Sequence, residues 1–222
     1  MTNRILLTLG LVLAPWQTVS AQSTTRPRLP PLLSEAEEIA LAESAAPESI
    51  ARAAAVYVLE RGGYVLKRPG TNGFTCLVGR SHPMSIEPIC FDAAGTESVV
   101  PRMLDAAALR ASGADSATVA ASIAEGYRTG RYRAPGRTGV AYMLSPHTRF
   151  HDPATGRTEP GSPHVMVYAP YLRNRDIGSP GEHALPDRSM AFVIEEGTPQ
   201  AYIILPVGTP AARPDVGGAG AR

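Results

Sequence analysis

The stretch Ala55-Val56-Tyr57-Val58-Leu59-Glu60-Arg61-Gly62-Gly63-Tyr64-Val65-Leu66-Lys67-Arg68, with Gly70-Thr71-Asn72-Gly73 and Phe74 to Val78 after it, decides the fold class. Its β-branched and aromatic residues favour strands. Gly62-Gly63 marks a turn, and Asn72-Gly73 is a strong hairpin signal. We read a strand ending at Glu60, a second over Tyr64 to Arg68 and a third over Phe74 to Val78, and expect an antiparallel meander. Ile50, Ala53 and Ala54 fit helical spacing, so a short helix into Arg52 should precede the first strand.

Outward from there the period changes twice. Upstream, Ser34-Glu35-Ala36-Glu37 is a capping box, so a helix should run to about Ala45, before Pro47. Downstream, Arg80 to Pro88 reads as an irregular loop. Val100, Met103, Leu104, Ala107 and Ala108 then form one apolar helical face, with Pro101 in the first turn. Asp115 or Ser116 caps the next helix, whose face is Ala120, Ile123, Ala124 and Tyr127. From Val140 the period is two. Strands are expected over Val140 to Leu144, His164 to Ala169, Met190 to Glu195 and Tyr202 to Pro206, the last two joined by a turn at Glu196 to Pro199. Two long loops, 145–163 and 170–188, lie between. The expectation is an α+β domain with one mainly antiparallel sheet of about six or seven strands and two to three helices.

The N-terminus reads as a signal peptide over residues 1–21. Arg4 is followed by an apolar run from Ile5 to Ala14, then Pro15 and a small-residue site at Val19-Ser20-Ala21. The run is about half of what a membrane span needs. A flexible leader (22–33), a single domain (34–207) and a disordered tail (208–222) should follow. Cleavage would remove Arg4, balancing the remaining basic side chains against the twenty acidic ones, and Trp16, the only tryptophan. Neutral charge argues against nucleic acid or anionic lipid as a generic partner. An exported, periplasmic or extracellular monomer is expected, without a membrane span after cleavage.

Cys76 and Cys90 are the only cysteines. An even count in an exported chain favours a disulfide over a reactive or an inert thiol. Closing a loop of this size stabilises by about 3 kcal/mol in the chain-entropy model.

Gly70-Thr71-Asn72-Gly73-Phe74-Thr75-Cys76, Pro88-Ile89-Cys90-Phe91-Asp92, Ala141-Tyr142-Met143-Leu144, Pro163-His164-Val165-Met166 and Gly197-Thr198-Pro199 with Ala201 occur in that order. The order resembles a family of exported bacterial proteins with no assigned activity. The resemblance implies an exported single domain and carries no catalytic residue across.

Candidate chemistry centres on histidine. His147, His151 and His164, with Asp152 and His183 near them in sequence, have the residue types of a His/carboxylate metal site. His164 opens a strand beside long loops, where it suits acid–base work with Asp152 as readily as fixing a loop carbonyl. Asn72 has a turn explanation. Asp92 could orient a histidine or cap the next helix. Arg128, Arg131, Arg133 and Arg137 complement a helix C-terminus or make an anion site. No Gly-x-Ser-x-Gly, Walker loop, His-Glu-x-x-His or dinucleotide glycine pattern occurs, so no cofactor is expected. The leading expectation is a non-catalytic domain that binds a small molecule or an envelope partner at the cleft of the two long loops. A His-dependent, metal-assisted hydrolase and a structural envelope protein are the alternatives.

Overall fold

The computed structural model describes residues 30–181 and 190–207. The signal-peptide and tail readings, and His183, lie outside the described residues. The fold is α+β. Helices α1 (Glu35–Glu43) and α2 (Glu48–Ala51) precede strands β1 (Ala55–Glu60), β2 (Gly63–Arg68), β3 (Thr75–Gly79) and β4 (Glu87–Phe91). Helices α3 (Ala93–Ser98), α4 (Val100–Ala111) and α5 (Ser116–Arg128) follow. Then come β5 (Val140–Met143), the hairpin β6 (Arg149–Asp152) and β7 (Arg157–Pro160), β8 (His164–Tyr168), β9 (Phe192–Ile194) and β10 (Tyr202–Pro206). Eight strands form one sheet in the order β2-β1-β3-β4-β5-β8-β10-β9, while β6 and β7 pair separately.

Two expectations need correction. First, β1 to β3 are not a meander. β1 lies between β2 and β3, antiparallel to one and parallel to the other. The Asn72-Gly73 segment therefore crosses beneath the start of β1 instead of joining paired strands. Asn72 Nδ2 donates to the Ile50 carbonyl at 2.8 Å, and its Oδ1 accepts from the Phe74 amide at 3.0 Å. Gly70 presses so close to β1 that a Cβ there would meet the Ala55 nitrogen at 2.2 Å.

Second, the sheet has one strand more than expected, because Arg80 to Pro88 gives way to β4. Cys76 faces Cys90 across β3 and β4, and the two are joined by a disulfide with Cα atoms 4.0 Å apart. That narrow spacing belongs to a non-hydrogen-bonded pair. Two residues along, Val78 faces Pro88 in the same phase. Proline's missing N–H therefore points away from β3, towards β5, whose pairing with β4 reaches only Cys90 and Phe91. The proline costs the ladder nothing.

The alternation of each strand divides the sheet into two faces. On one, α1 covers Val56, Cys76, Val78 and Cys90 with Ala42 and Ala45. Ser34 caps α1 through the expected box with Glu37. Beneath α1, Glu38 and Arg80 form a buried ion pair with Nη2 3.0 Å from Oε2. Burial holds the Glu38 carboxyl above the usual range, and Arg80 opposes that rise. On the other face lie Leu77, Ile89, Phe91, Ala141, Met143, Met166, Tyr168, Phe192 and Ile204.

Helix α4 starts with Val100 in this second cluster and docks on β2, where Gly63 (φ +123°) leaves only 3.3 Å between a hypothetical Cβ and the Ala108 backbone. Helix α5 packs back on α4 through Val119 and Ile123, with Tyr132 from the segment after α5 in the same cluster. Asp115 caps α5, accepting from the Thr118 amide at 2.7 Å.

Arg80→Met leaves a buried carboxylate without its cation, and should cost about 3–5 kcal/mol in urea unfolding at neutral pH. The loss should shrink on acidification, because a raised carboxyl destabilises only where it must ionise. Adding Glu38→Leu should restore most of the loss. Additive costs of the two substitutions would contradict this account.

Candidate functional site

The helical layer leaves a large hollow against the second sheet face. Helix α4 presents Val99, Arg102, Met103, Ala106, Ala107, Arg110 and Ala111 to it, at helical spacing from the residue before the helix to its last turn. Helix α5 presents Ser116, Val119, Ala120, Ile123, Ala124 and Tyr127. The floor is the sheet, with Ile89 and Phe91 on β4, Met143 on β5, Met166 and Tyr168 on β8, Tyr202 and Ile204 on β10, and Phe192 and Ile194 on β9. The hollow encloses about 1030 Å³. Among the helix residues that line it are five alanines, Ala106, Ala107, Ala111, Ala120 and Ala124, whose side chains are too short to fill the space above the sheet.

Polar groups gather at the two ends of α4. Around Arg110 are Tyr64, Arg80, Ser81 and Glu87. Tyr64 donates to the Val78 carbonyl at 2.6 Å, and Glu87 is hydrogen-bonded to the Ser81 hydroxyl. Burial raises both the Tyr64 hydroxyl and the Glu87 carboxyl above their usual ranges. Near Arg102 are Tyr127 and Glu195. Burial raises Tyr127, and the neighbouring Arg102 guanidinium offsets part of that rise. The Arg102 Nε atom is buried without a hydrogen-bond partner.

The histidines named from the sequence are placed apart in role. His164 is buried on β8 and lines the hollow, and its Nδ1 donates to the Ser162 carbonyl at 2.8 Å. His147 is exposed beside α1, in a shallow depression with Leu33, Glu37 and Ser44. His151 stacks on His82 with ring centroids 4.1 Å apart and meets the Thr158 hydroxyl at 2.8 Å. Asp152 accepts from the Ala154 amide and the Thr155 hydroxyl at the tip of the β6–β7 hairpin, and these bonds hold its carboxyl below the usual range. Among the described residues no three His, Cys, Asp or Glu side chains are grouped to hold a metal ion.

Other candidates have structural partners. Asp92 caps α3 through the Gly95 amide and accepts from the Val140 amide at 2.9 Å, tying the end of β4 to the start of β5. Arg128 pairs with Glu125, and Arg131 lies over the Tyr132 ring and donates to the Ser122 carbonyl. Arg133 and Arg137 are exposed.

The first long loop contributes Phe150, Ser162 and Pro163 to the hollow's lining, and the described part of the second contributes none. Sequence reasoning missed the walls for two reasons. The missing β4 hid Ile89 and Phe91, and the helical faces read as ordinary core. Their alanine content was the available signal.

Burial and the adjacent His151 hold the His82 imidazole below its ordinary value, and its Nδ1 accepts from the Met84 amide at 3.1 Å. The unfolded chain therefore takes the proton first. This contribution to stability is complete above about pH 6.5 and lost as the pH falls through the folded value. His82→Gln should flatten the fall in unfolding free energy between about pH 7 and 5, relative to the parent chain; an unchanged slope would contradict the assignment.

No family model, curated protein or solved structure matches the chain.

Proposed function

We propose that this chain is an exported, non-catalytic binding domain that takes an apolar small molecule in the hollow between its sheet and helices α4 and α5. One observation carries the reading: a concave site of about 1030 Å³, walled mostly by apolar side chains of Met, Phe, Ile, Val and Ala, with a few polar groups, His164, Tyr127, Arg102 and Arg110 among them, on its lining. Small-molecule sites are of this kind, mostly apolar and sparingly polar, at roughly 300–1,000 Å³. Filling such a volume with water would leave the sheet's apolar face wetted, at a cost of about 25 cal/mol for each Å². The Cys76–Cys90 disulfide supports maturation in an oxidising compartment. No helix among the described residues is long and apolar enough to cross a membrane.

The neutral dye N-phenyl-1-naphthylamine is a suitable probe. It should bind saturably, one per chain, with enhanced fluorescence. Ala124 is exposed on the cleft side of α5, so Ala124→Trp adds bulk to the hollow without disturbing the packed core. The substitution should weaken dye binding at least tenfold, about 1.4 kcal/mol. Dye binding of equal strength in the variant, or none in the parent, would overturn the proposal.

A further inference from the structure

The hollow is long for its volume. Each of the eight strands contributes to its lining, from Tyr64 on β2 at one edge of the sheet to Ile194 on β9 at the other. Strands set about 4.8 Å apart carry it across roughly 34 Å. Helix α4 lines it from Val99 to Ala111, over roughly 18 Å of helix axis. A volume of about 1030 Å³ divided by either length gives a mean cross-section between roughly 30 and 60 Å². Non-bonded carbons settle about 4 Å apart, so that section is filled by one or two extended methylene chains. A compact molecule would leave most of the length empty.

The lining suits a flexible chain. Three of the six methionines, Met103, Met143 and Met166, face the hollow from helix and sheet. Their unbranched thioether side chains adapt to irregular apolar surfaces. Ala106, Ala107 and Ala111 keep the channel open along α4. Resting on the cleft reading above, we propose that the natural ligand carries a long unbranched hydrocarbon chain, which lies extended across the sheet beneath α4 and α5. Each methylene taken out of water then adds about fourfold in affinity, until the channel is full. The hollow thus measures chain length.

The test is displacement of bound N-phenyl-1-naphthylamine by octanol, decanol, dodecanol and tetradecanol, all straight-chain primary alcohols. Each is kept below its solubility limit and read as the alcohol's own dissociation constant. The four share one neutral head group and differ in length alone. In the parent protein affinity should rise by about tenfold for each added pair of methylenes, as far as tetradecanol. Ala107→Trp sets an indole midway along α4 and divides the channel. That variant should hold octanol within about threefold of the parental affinity and lose about tenfold or more for tetradecanol. Ala107→Phe, with its smaller ring, should show the same dependence on length with a smaller loss. It decides the matter should Ala107→Trp fail to fold, as judged by far-ultraviolet circular dichroism.

An affinity that levels off at decanol in the parent protein would overturn the chain assignment while leaving the cleft reading intact. So would losses in the Ala107 variants that are equal for octanol and tetradecanol, or absent for both. A parent protein that does not bind the dye would remove the cleft reading and this inference with it.

Discussion

The structure is governed by a mismatch of widths. Eight strands set about 4.8 Å apart make a sheet roughly 34 Å across. The helices on its second face are the six-residue α3, set against β4 and β5, then α4, twelve residues and about 18 Å long, and α5, which packs on α4. Helix α4 docks tightly on the β2 edge, where Gly63 admits its backbone, and extends over the strands beyond with alanines facing down. The apolar residues of β4, β5, β8, β9 and β10 are thus roofed without being touched throughout. The cleft is what remains when a short helical layer is laid over a wide sheet.

The opposite face has no such gap. There, α1 settles on β1, β3 and β4 through Ala42 and Ala45, and the disulfide fixes β3 to β4 at the centre of that contact. The buried Glu38–Arg80 pair ties α1 to the end of β3. Small residues play opposite roles on the two faces. Beneath α1 they allow close approach, and on α4 and α5 they leave space. The difference is set by the strands. Cys76, Val78 and Cys90 close the distance on one side, while Met143, Met166 and Tyr168 form a floor below the helices on the other.

Much of this was legible from residues alone. The Ser34 box, Pro101 and Asp115 mark the starts of helices α1, α4 and α5, because a helix N-terminus leaves backbone N–H groups that only certain residues can satisfy. The alternation on β8 correctly put His164, Met166 and Tyr168 on one face. What failed depended on contacts distant in sequence. Arg80 to Pro88 reads as an irregular loop, yet Pro88 sits inside β4, which the ladder tolerates because the pairing with β5 stops short of it. Asn72-Gly73 has the chemistry of a tight turn, but its hydrogen bonds go to Ile50 and Phe74. An alanine on an apolar helical face reads the same whether it meets a neighbour or empty space, so the cleft could not be separated from the core. Loop length pointed to residues 145–163 and 170–188, yet much of the first is the β6–β7 hairpin, held by the bridge from Arg149 to Ile86, the residue before β4.

The methionines offer the most direct test, since they report on the cleft from both helix and sheet. Met103, Met143 and Met166 line it, whereas Met84 and Met190 are exposed outside it. In a chain labelled with carbon-13 at the methionine methyl groups, titration with N-phenyl-1-naphthylamine should shift the resonances of Met103, Met143 and Met166 together and leave those of Met84 and Met190 in place. Shifts confined to Met84 or Met190, or no shift at all at saturating dye, would contradict the claim that the space beneath α4 and α5 is a binding site.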